Sequence, residues 1–428
     1  MDILTLGVFV LILILCLVLD WPIYYALLAG LVLFLAYGRY KGLSWSVLLA
    51  SCLEGLRTTK TIFLFFILIG AMVGLWRACG TIPVILAYAS TFVQPSVCLL
   101  LCFWLCCGIS FLLGSSFASA GTMGVVCMIL ANSMQVDPFW TGGAILSGLY
   151  FGDRCSPVSS SAQLVAVVTG TEIYTNIRYM FKDAWIPFLA SSVIYFCVGQ
   201  LGSASRGSVN IAALFAQSFA LDPLCFLPAV LILGFAALRL NVKLALFASI
   251  MAAMGLAFWV QGLSWGEIAS AALWGYETKN AALAKMMNGG GIYSMLYATV
   301  IVGISACYAG LFKVTALLEG LKKWIEVLAC RTTKFTAVAL TGMIMGAVSC
   351  NQTFSTILTQ QLCEDVQPDK QQLARDMENT LIPAVALIPW CIAGAVPLSI
   401  VGAPANAVLV ACYLYLLPLW QGYVTRKL

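Results

Sequence analysis

Asp153 stands in the run Gly152-Asp153-Arg154-Cys155-Ser156-Pro157-Val158-Ser159-Ser160-Ser161, which interrupts what would otherwise be one apolar helix from Trp140 to Val168. A carboxylate in the middle of an apolar stretch is costly unless it is hydrated, paired or protonated, so it is rarely kept without a use. The chemistry open to it is the binding of a cation or a proton. Arg154 beside it is expected either to neutralise it in an ion pair or to meet an anionic group. Glu378, with Arg375 and Asp376 close by, is expected to start the corresponding helix of a second broken segment, where it is either a membrane carboxylate or a solvated interfacial group. Histidine is absent, so any proton chemistry falls to carboxylates.

Two polar tips supply neutral oxygens. Ser115, Ser116, Ser119 and Thr122 lie between apolar arms, and so do Asn351, Gln352, Thr353 and Ser355. Hydroxyls and carbonyls of this kind hold hard cations, and Asp153, Ser116 and Asn351 form the expected sodium set. Ser156, Ser159 and Ser160 line the first break, and Cys391 lies in the second, between Pro389 and Pro397. Each small polar residue taken alone serves as readily to pack helices. It is the convergence of several breaks that points to a site.

The elements that must hold these residues are membrane helices. Of the 428 residues, 62% are apolar and only 9% charged, with a mean hydropathy of +0.99, far from the roughly 25% charged residues of a soluble domain. This composition excludes a soluble enzyme, a nucleic-acid module and a disordered chain. Apolar stretches run at 3–19, 22–37, 61–79, 95–113, 184–202, 223–238, 244–260, 291–312, 335–349 and 404–420. Met1-Asp2 lacks a basic n-region and no small-residue cleavage site follows Leu19, so the first run is expected to be a span. Gly, Pro and Ser clusters inside such runs free backbone groups that lipid cannot satisfy, so they must be buried in protein or face a wet cavity. Nearly all of the 17 cysteines sit in apolar runs and no CxxC pair occurs, which suits packing rather than disulfides or metal.

Gly42-Leu43-Ser44-Trp45 recurs as Gly262-Leu263-Ser264-Trp265, with Gly55 matching Gly275 and Thr58 matching Thr278 at the same offset. The order of spans, amphipathic stretch, polar tip and broken helix recurs as well, as in duplicated transporters. The expected fold is an all-α polytopic membrane protein of two inverted repeats, with about ten spans, two re-entrant hairpins and two discontinuous helices. The first repeat is 1–202, with scaffold spans 3–60 and transport part 61–202. The second is 203–428, with scaffold 223–285 and transport part 286–428. Arg39, Lys41, Arg57 and Lys60 place the 38–60 loop inside, opposite Asp20. With one inversion, Arg178, Lys182, Arg239, Lys243, Lys313, Lys322, Lys323, Arg331, Lys334, Arg426 and Lys427 also fall inside, and both termini are cytoplasmic.

Several motifs resemble the NhaC-type sodium/proton antiporter family over nearly the whole chain. They are Gly74-Leu75-Trp76 with Gly80-Thr81-Ile82-Pro83, Gly114-Ser115-Ser116 with Ala120-Gly121-Thr122, Gly152-Asp153-Arg154 with Ser156-Pro157 and Ser159, Asn288 with Gly290-Gly291 and Ser294-Met295, Glu378, and Leu387-Ile388-Pro389-Trp390 with Gly394-Ala395. The resemblance implies the ion-transporter architecture and antiport across the cell membrane, with sodium or protons as coupling ions and no other cofactor. Ser160, Asn351, Asn379 and Lys313 stand where the family commonly has acids, and Cys391 and Gln163 replace asparagines. That loss implies a larger solute, such as the small carboxylates some members exchange, with a plain sodium/proton exchanger as the alternative. Membrane lipid and a second copy of the chain are the expected partners. A channel is disfavoured by two occluding hairpins, and an intramembrane aspartyl protease by the lack of a second Asp facing Asp153.

Overall fold

The computed structural model describes residues 2–19, 21–202, 215–216, 218–238, 240–278, 280, 283–284, 287–315, 317, 327 and 331–427. Asp20, Arg239, Lys322 and Lys323, used above for orientation, lie outside them, as does residue 203, where the second half is expected to begin.

The apolar runs fold as helices: α1 (Asp2–Val18), α2 (Ile23–Tyr40), α3 (Trp45–Thr58), α4 (Lys60–Ala78), α5 (Thr81–Phe92) and α6 (Pro95–Leu113). α7 (Ser116–Ser133) contains a π turn over Ala120–Gly124. Next come α8 (Pro138–Cys155), α9 (Ser160–Thr169) and α10 (Ile173–Gly202). Beyond them lie α11 (Leu227–Ala237), α12 (Val242–Trp259), α13 (Trp265–Leu273), α14 (Leu296–Thr315) and α15 (Lys334–Ser349). The chain ends with α16 (Gln352–Cys363), α17 (Lys370–Asn379), α18 (Leu381–Ala386), α19 (Ile392–Val401) and α20 (Cys412–Lys427). Seven of the described helices are long and apolar enough to cross a bilayer, and the described residues contain no strand beyond one isolated bridge between Tyr276 and Gly289. The chain is an all-helical, multi-pass membrane protein.

One expected span needs correction. The run at 404–420 is divided into a 3-10 turn over Ala405–Val410 and a helix that begins only at Cys412. Gly402 ends α19 in the left-handed region at φ 73°, and Pro404 lacks the amide needed to continue a helix, so the chain must restart.

The two copies of the repeated tetrapeptide do the same local work. Gly42 and Gly262 both take positive φ, 90° and 67°. Ser44 and Ser264 then cap α3 and α13 through their hydroxyls, and Glu267 completes a capping box in the second copy. Each short helix packs on a long helix of the other half. A Cβ on Gly310 of α14 would lie 2.0 Å from the Ser51 carbonyl oxygen of α3, and one on Gly74 of α4 would lie 2.1 Å from the Ala271 carbonyl oxygen of α13. Ser51 and Ala271 stand at the same offset in the repeat. On the other side of α14, Tyr308 and Phe312 meet Phe34 of α2 edge-on at 5.0 and 4.8 Å, and Phe34 meets Phe9 of α1 at 4.9 Å.

Candidate functional site

Four helix starts surround one cavity. α6 stops at Gly114, whose φ of 61° and ψ of 30° turn the chain, and Ser115 then caps α7. The second tip repeats this backbone almost angle for angle. α15 stops at Cys350, at φ 55° and ψ 13°, and Asn351 caps α16 by accepting from the Phe354 amide at 3.1 Å. Ser115 and Asn351 share extended backbones, at φ −150° and −140°.

The breaks follow the same logic. α8 ends at Ser156-Pro157, and the Ser159 hydroxyl restarts the chain as α9 by accepting from the Ser161 and Ala162 amides. α18 gives way over 387–391 to α19, which Cys391 opens without a side-chain cap. The Ile392 amide donates to the Cys350 carbonyl at 3.1 Å, the Trp390 indole donates to the Ala347 carbonyl at 2.8 Å, and the Tyr150 hydroxyl of α8 reaches the Ala393 carbonyl at 2.8 Å. Tip and break are thereby tied together.

The cavity measures about 420 Å³, and Asp153 is the one charged residue among the described residues that line it. Ser115, Ser116, Ser160, Asn351, Gln352 and Thr353 line it as expected. The proposed sodium set of Asp153, Ser116 and Asn351 therefore borders one space. The Ser159 hydroxyl donates to Asp153 Oδ1 at 3.1 Å, the Ser161 hydroxyl donates to the Asp153 main-chain carbonyl at 3.1 Å, and the Ser116 amide also faces the carboxylate. No group of three or more carboxylates or thiols able to hold a metal ion is present among the described residues, so any cation there relies on one charge and neutral oxygens.

Other expected site residues lie outside the lining. Thr122 lies in the π turn of α7 and donates to the Ala118 carbonyl, while Ser119 Oγ, just before that turn, is buried without a partner among the described residues. Ser156 and Ser159 shape the break, and Cys391 is buried at the start of α19. Arg154 requires correction. Among the described residues it forms no ion pair with Asp153, since its Nη1 donates to the Tyr413 hydroxyl at 2.8 Å and its Nη2 to the Met180 carbonyl at 2.6 Å. Adjacent residues on a helix point in different directions, which is why the sequence neighbours part. Glu378 sits in the last turn of α17 rather than at the expected helix start, and of its two expected settings it takes the buried one. Asp376 accepts from Gln372 and Gln367 at 2.7 and 3.4 Å and does not border the cavity, so it is not a second Asp beside Asp153 there.

Thr58 and Thr61, Ser161, Thr356, Phe65 and Ala393 also line it without having been anticipated as ligands. The signal for Thr356 was present, because it stands one helical turn beyond Gln352 and so on the same face. Thr58, Ile62, Asn351 and Thr353 also line a second cavity of about 590 Å³, which reaches the surface at Glu54 and Lys313. Those two side chains, 64% and 70% exposed, pair at 3.0 Å across α3 and α14. Such a pair adds little stability but marks the mouth.

Behind the cavity lies a second polar cluster. Asp183 of α10 accepts two bonds from Arg375, at 2.7 and 2.6 Å, and a third from Asn379 Nδ2 at 2.7 Å. With Asp183 almost buried, removing one partner leaves the other without compensation. Asp183→Asn is expected to destabilise the protein by about 3 kcal/mol, read as a lower unfolding midpoint in detergent. An unchanged midpoint would show that the pair contributes nothing.

Comparison with known proteins adds the decisive observation: residues 148–420, more than half of the chain, match the Na+/H+ antiporter family. The chain belongs to that family. The matched antiporter region takes in the first helix break, the second polar tip and the second break. Among curated relatives of the family, the Na(+)/H(+) antiporter NhaC of Bacillus subtilis is 28% identical over 92% of this chain and 90% of its own length. The malate-2H(+)/Na(+)-lactate antiporter of the same organism is 25% identical over 99% of this chain and 91% of its own. The arginine/ornithine antiporter ArcD of Halobacterium salinarum is 25% identical over 86% of this chain and 77% of its own.

Proposed function

We propose that this protein is a sodium- or proton-coupled antiporter of the cell membrane that exchanges a small organic anion by alternating access. The observation that carries this reading is the cavity itself, where Asp153 meets the starts of α7, α9, α16 and α19. Helix starts present unpaired amides and the positive ends of their dipoles, so four of them favour an anionic group, while Asp153 serves the cation or proton. A volume of about 420 Å³ lies in the range of small-molecule sites and exceeds what a bare sodium ion fills. One relative, named for malate and lactate exchange, supports the same substrate class. Arg154 has no part in solute binding under this reading, because it is enclosed behind the cavity.

The reciprocal packing of α3 on α14 and α13 on α4 supports two inverted repeats, and the matched tips and breaks support two hairpins and two discontinuous helices within about ten spans. The wide cavity opens beside Glu54 and Lys313, on the face assigned to the cytoplasm, so the described conformation is read as inward-open. Exposed apolar side chains such as Leu11 and Ile14 on α1 and Phe247 and Met251 on α12 suit lipid or a second copy.

The test is a proteoliposome assay under an imposed sodium gradient, with malate and lactate offered separately. Sodium-linked exchange of one of them, with little flux in its absence, is the expected result. Strong sodium-driven proton movement with no organic anion present would reject the organic substrate and leave a plain exchanger.

A further inference from the structure

Glu378 is fully buried, and among the described residues neither of its carboxylate oxygens has a hydrogen-bond partner. Arg154 is equally enclosed, and among the described residues its Nε is unpartnered while its two terminal nitrogens bind only neutral oxygens. Two buried groups of opposite charge therefore sit in one polar cluster, each with unused capacity and with no bond between them. Arg154 and Asp153 are close enough for their charges to bear on Glu378. Isolated buried charges are so costly that an ionised Glu378 left in this arrangement would need either a cation or a pairing partner.

The groups around Glu378 can be named element by element. α8 brings Asp153, Arg154 and Cys155, α10 brings Asp183 and Tyr179, α16 brings Cys363, and α20 brings Tyr413. Its own helix carries Arg375, Asp376 and, at its exposed start, Lys370, whereas α9 and α18 have no titratable side chain and the single one on α15 is the exposed Lys334. Arg375 is already engaged by Asp183, and Asp376 by two glutamines. Among these groups Arg154 is thus the one cation free to change partner.

We infer that Glu378 is a second ion-binding carboxylate, separate from the cavity, which carries the coupling proton and exchanges it for a pairing with Arg154. This rests on the antiport reading above and assigns the two cargoes of that cycle to two different carboxylates. In the described arrangement Glu378 holds the proton as its neutral acid, which requires no counter-charge. Sodium bound at Asp153 cancels the negative charge that opposes a second ionisation nearby. Glu378 then sheds its proton to water, and its carboxylate draws the Arg154 guanidinium away from Tyr413 and the Met180 carbonyl. No electrons move, and the O–H bond broken at Glu378 accounts for the proton released. Departure of sodium reverses both steps, so cation entry and proton exit are linked without competing for one group.

The experiment uses the full-length protein in detergent, with sodium alone as the probe. Bound sodium is measured with a radioactive tracer and released protons with an indicator dye in weak buffer. Wild type should release protons on binding sodium. In Glu378→Gln, sodium should still bind, weakened by the factor that its linkage to deprotonation supplies in wild type, while proton release falls about tenfold or more. A Gln variant that releases protons as wild type does would overturn the assignment. So would a folded, monodisperse Gln variant that no longer binds sodium, since Glu378 would then belong to the cation site. If Glu378→Gln fails to fold, Glu378→Asp answers instead, because moving the carboxylate by one methylene should shift the pH midpoint of sodium-linked release. An unmoved midpoint in that variant would equally overturn it. A wild type that releases no proton at all, with sodium bound, fails the sodium/proton antiport reading itself, and this failure is separable from the others because it appears before any substitution.

Discussion

Asp153→Asn is expected to lower sodium-coupled exchange in proteoliposomes by about 100-fold, equivalent to about 2.7 kcal/mol of lost binding to the coupling ion. The reason is local. Asp153 is the only charged lining residue among those described, so no neighbour can take over its charge. Asn preserves its size, and its side-chain oxygen still accepts from Ser159 at the end of α8, so the break should keep its shape. The variant should therefore elute as a monodisperse species with an unfolding midpoint close to wild type. Transport with unchanged sodium dependence would show that Asp153 is structural and would move the cation site elsewhere.

Gly310→Ala is expected to be as damaging to folding as Asp153→Asn is to transport. Its added methyl would sit 2.0 Å from the Ser51 carbonyl oxygen, a backbone atom that cannot rotate away as a side chain can. α3 and α14 must separate to admit it, and the expected loss is about 3 kcal/mol or more. Gly108→Ala on α6 is the matched control, because nothing lies within 4 Å of the place its methyl would occupy. Thermal unfolding in the same detergent should leave Gly108→Ala near wild type and shift Gly310→Ala strongly downward. Equal midpoints for the two would mean that the helices separate at little cost.

The parts of this architecture that could be read in advance are those written in local chemistry. Apolar length announced the helices, and Gly114, Pro157 and Ser159 announced a turn, a stop and a restart, because those residue types have few other conformations or hydrogen bonds to offer. The meeting of Ser116, Asn351 and Asp153 at one cavity followed from the parallel positions of tips and breaks. The setting of Glu378 stayed open between membrane and interface, because α17 is polar along most of its length, and the packing of α9, α10, α15, α16, α18 and α20 against that helix decides it for burial. The Ser51–Gly310 approach was equally silent, since a carbonyl against a missing side chain leaves no residue pattern to find. Cys350 hides a left-handed turn that a glycine would have signalled.

The crosswise packing of α3 on α14 and α13 on α4 also bears on how the chain is made. When the ribosome has released only the first half, the face of α4 that will receive Ala271 at Gly74, and the face of α3 that will receive Gly310, have no partners within the nascent polypeptide. Contacts between residues so far apart in sequence form late. Until then these grooves must be filled by lipid or shielded by the insertion machinery. Synthesis of the first half alone should yield a species that is inserted yet still sensitive to membrane proteases, and supplying the second half as a separate polypeptide should restore resistance.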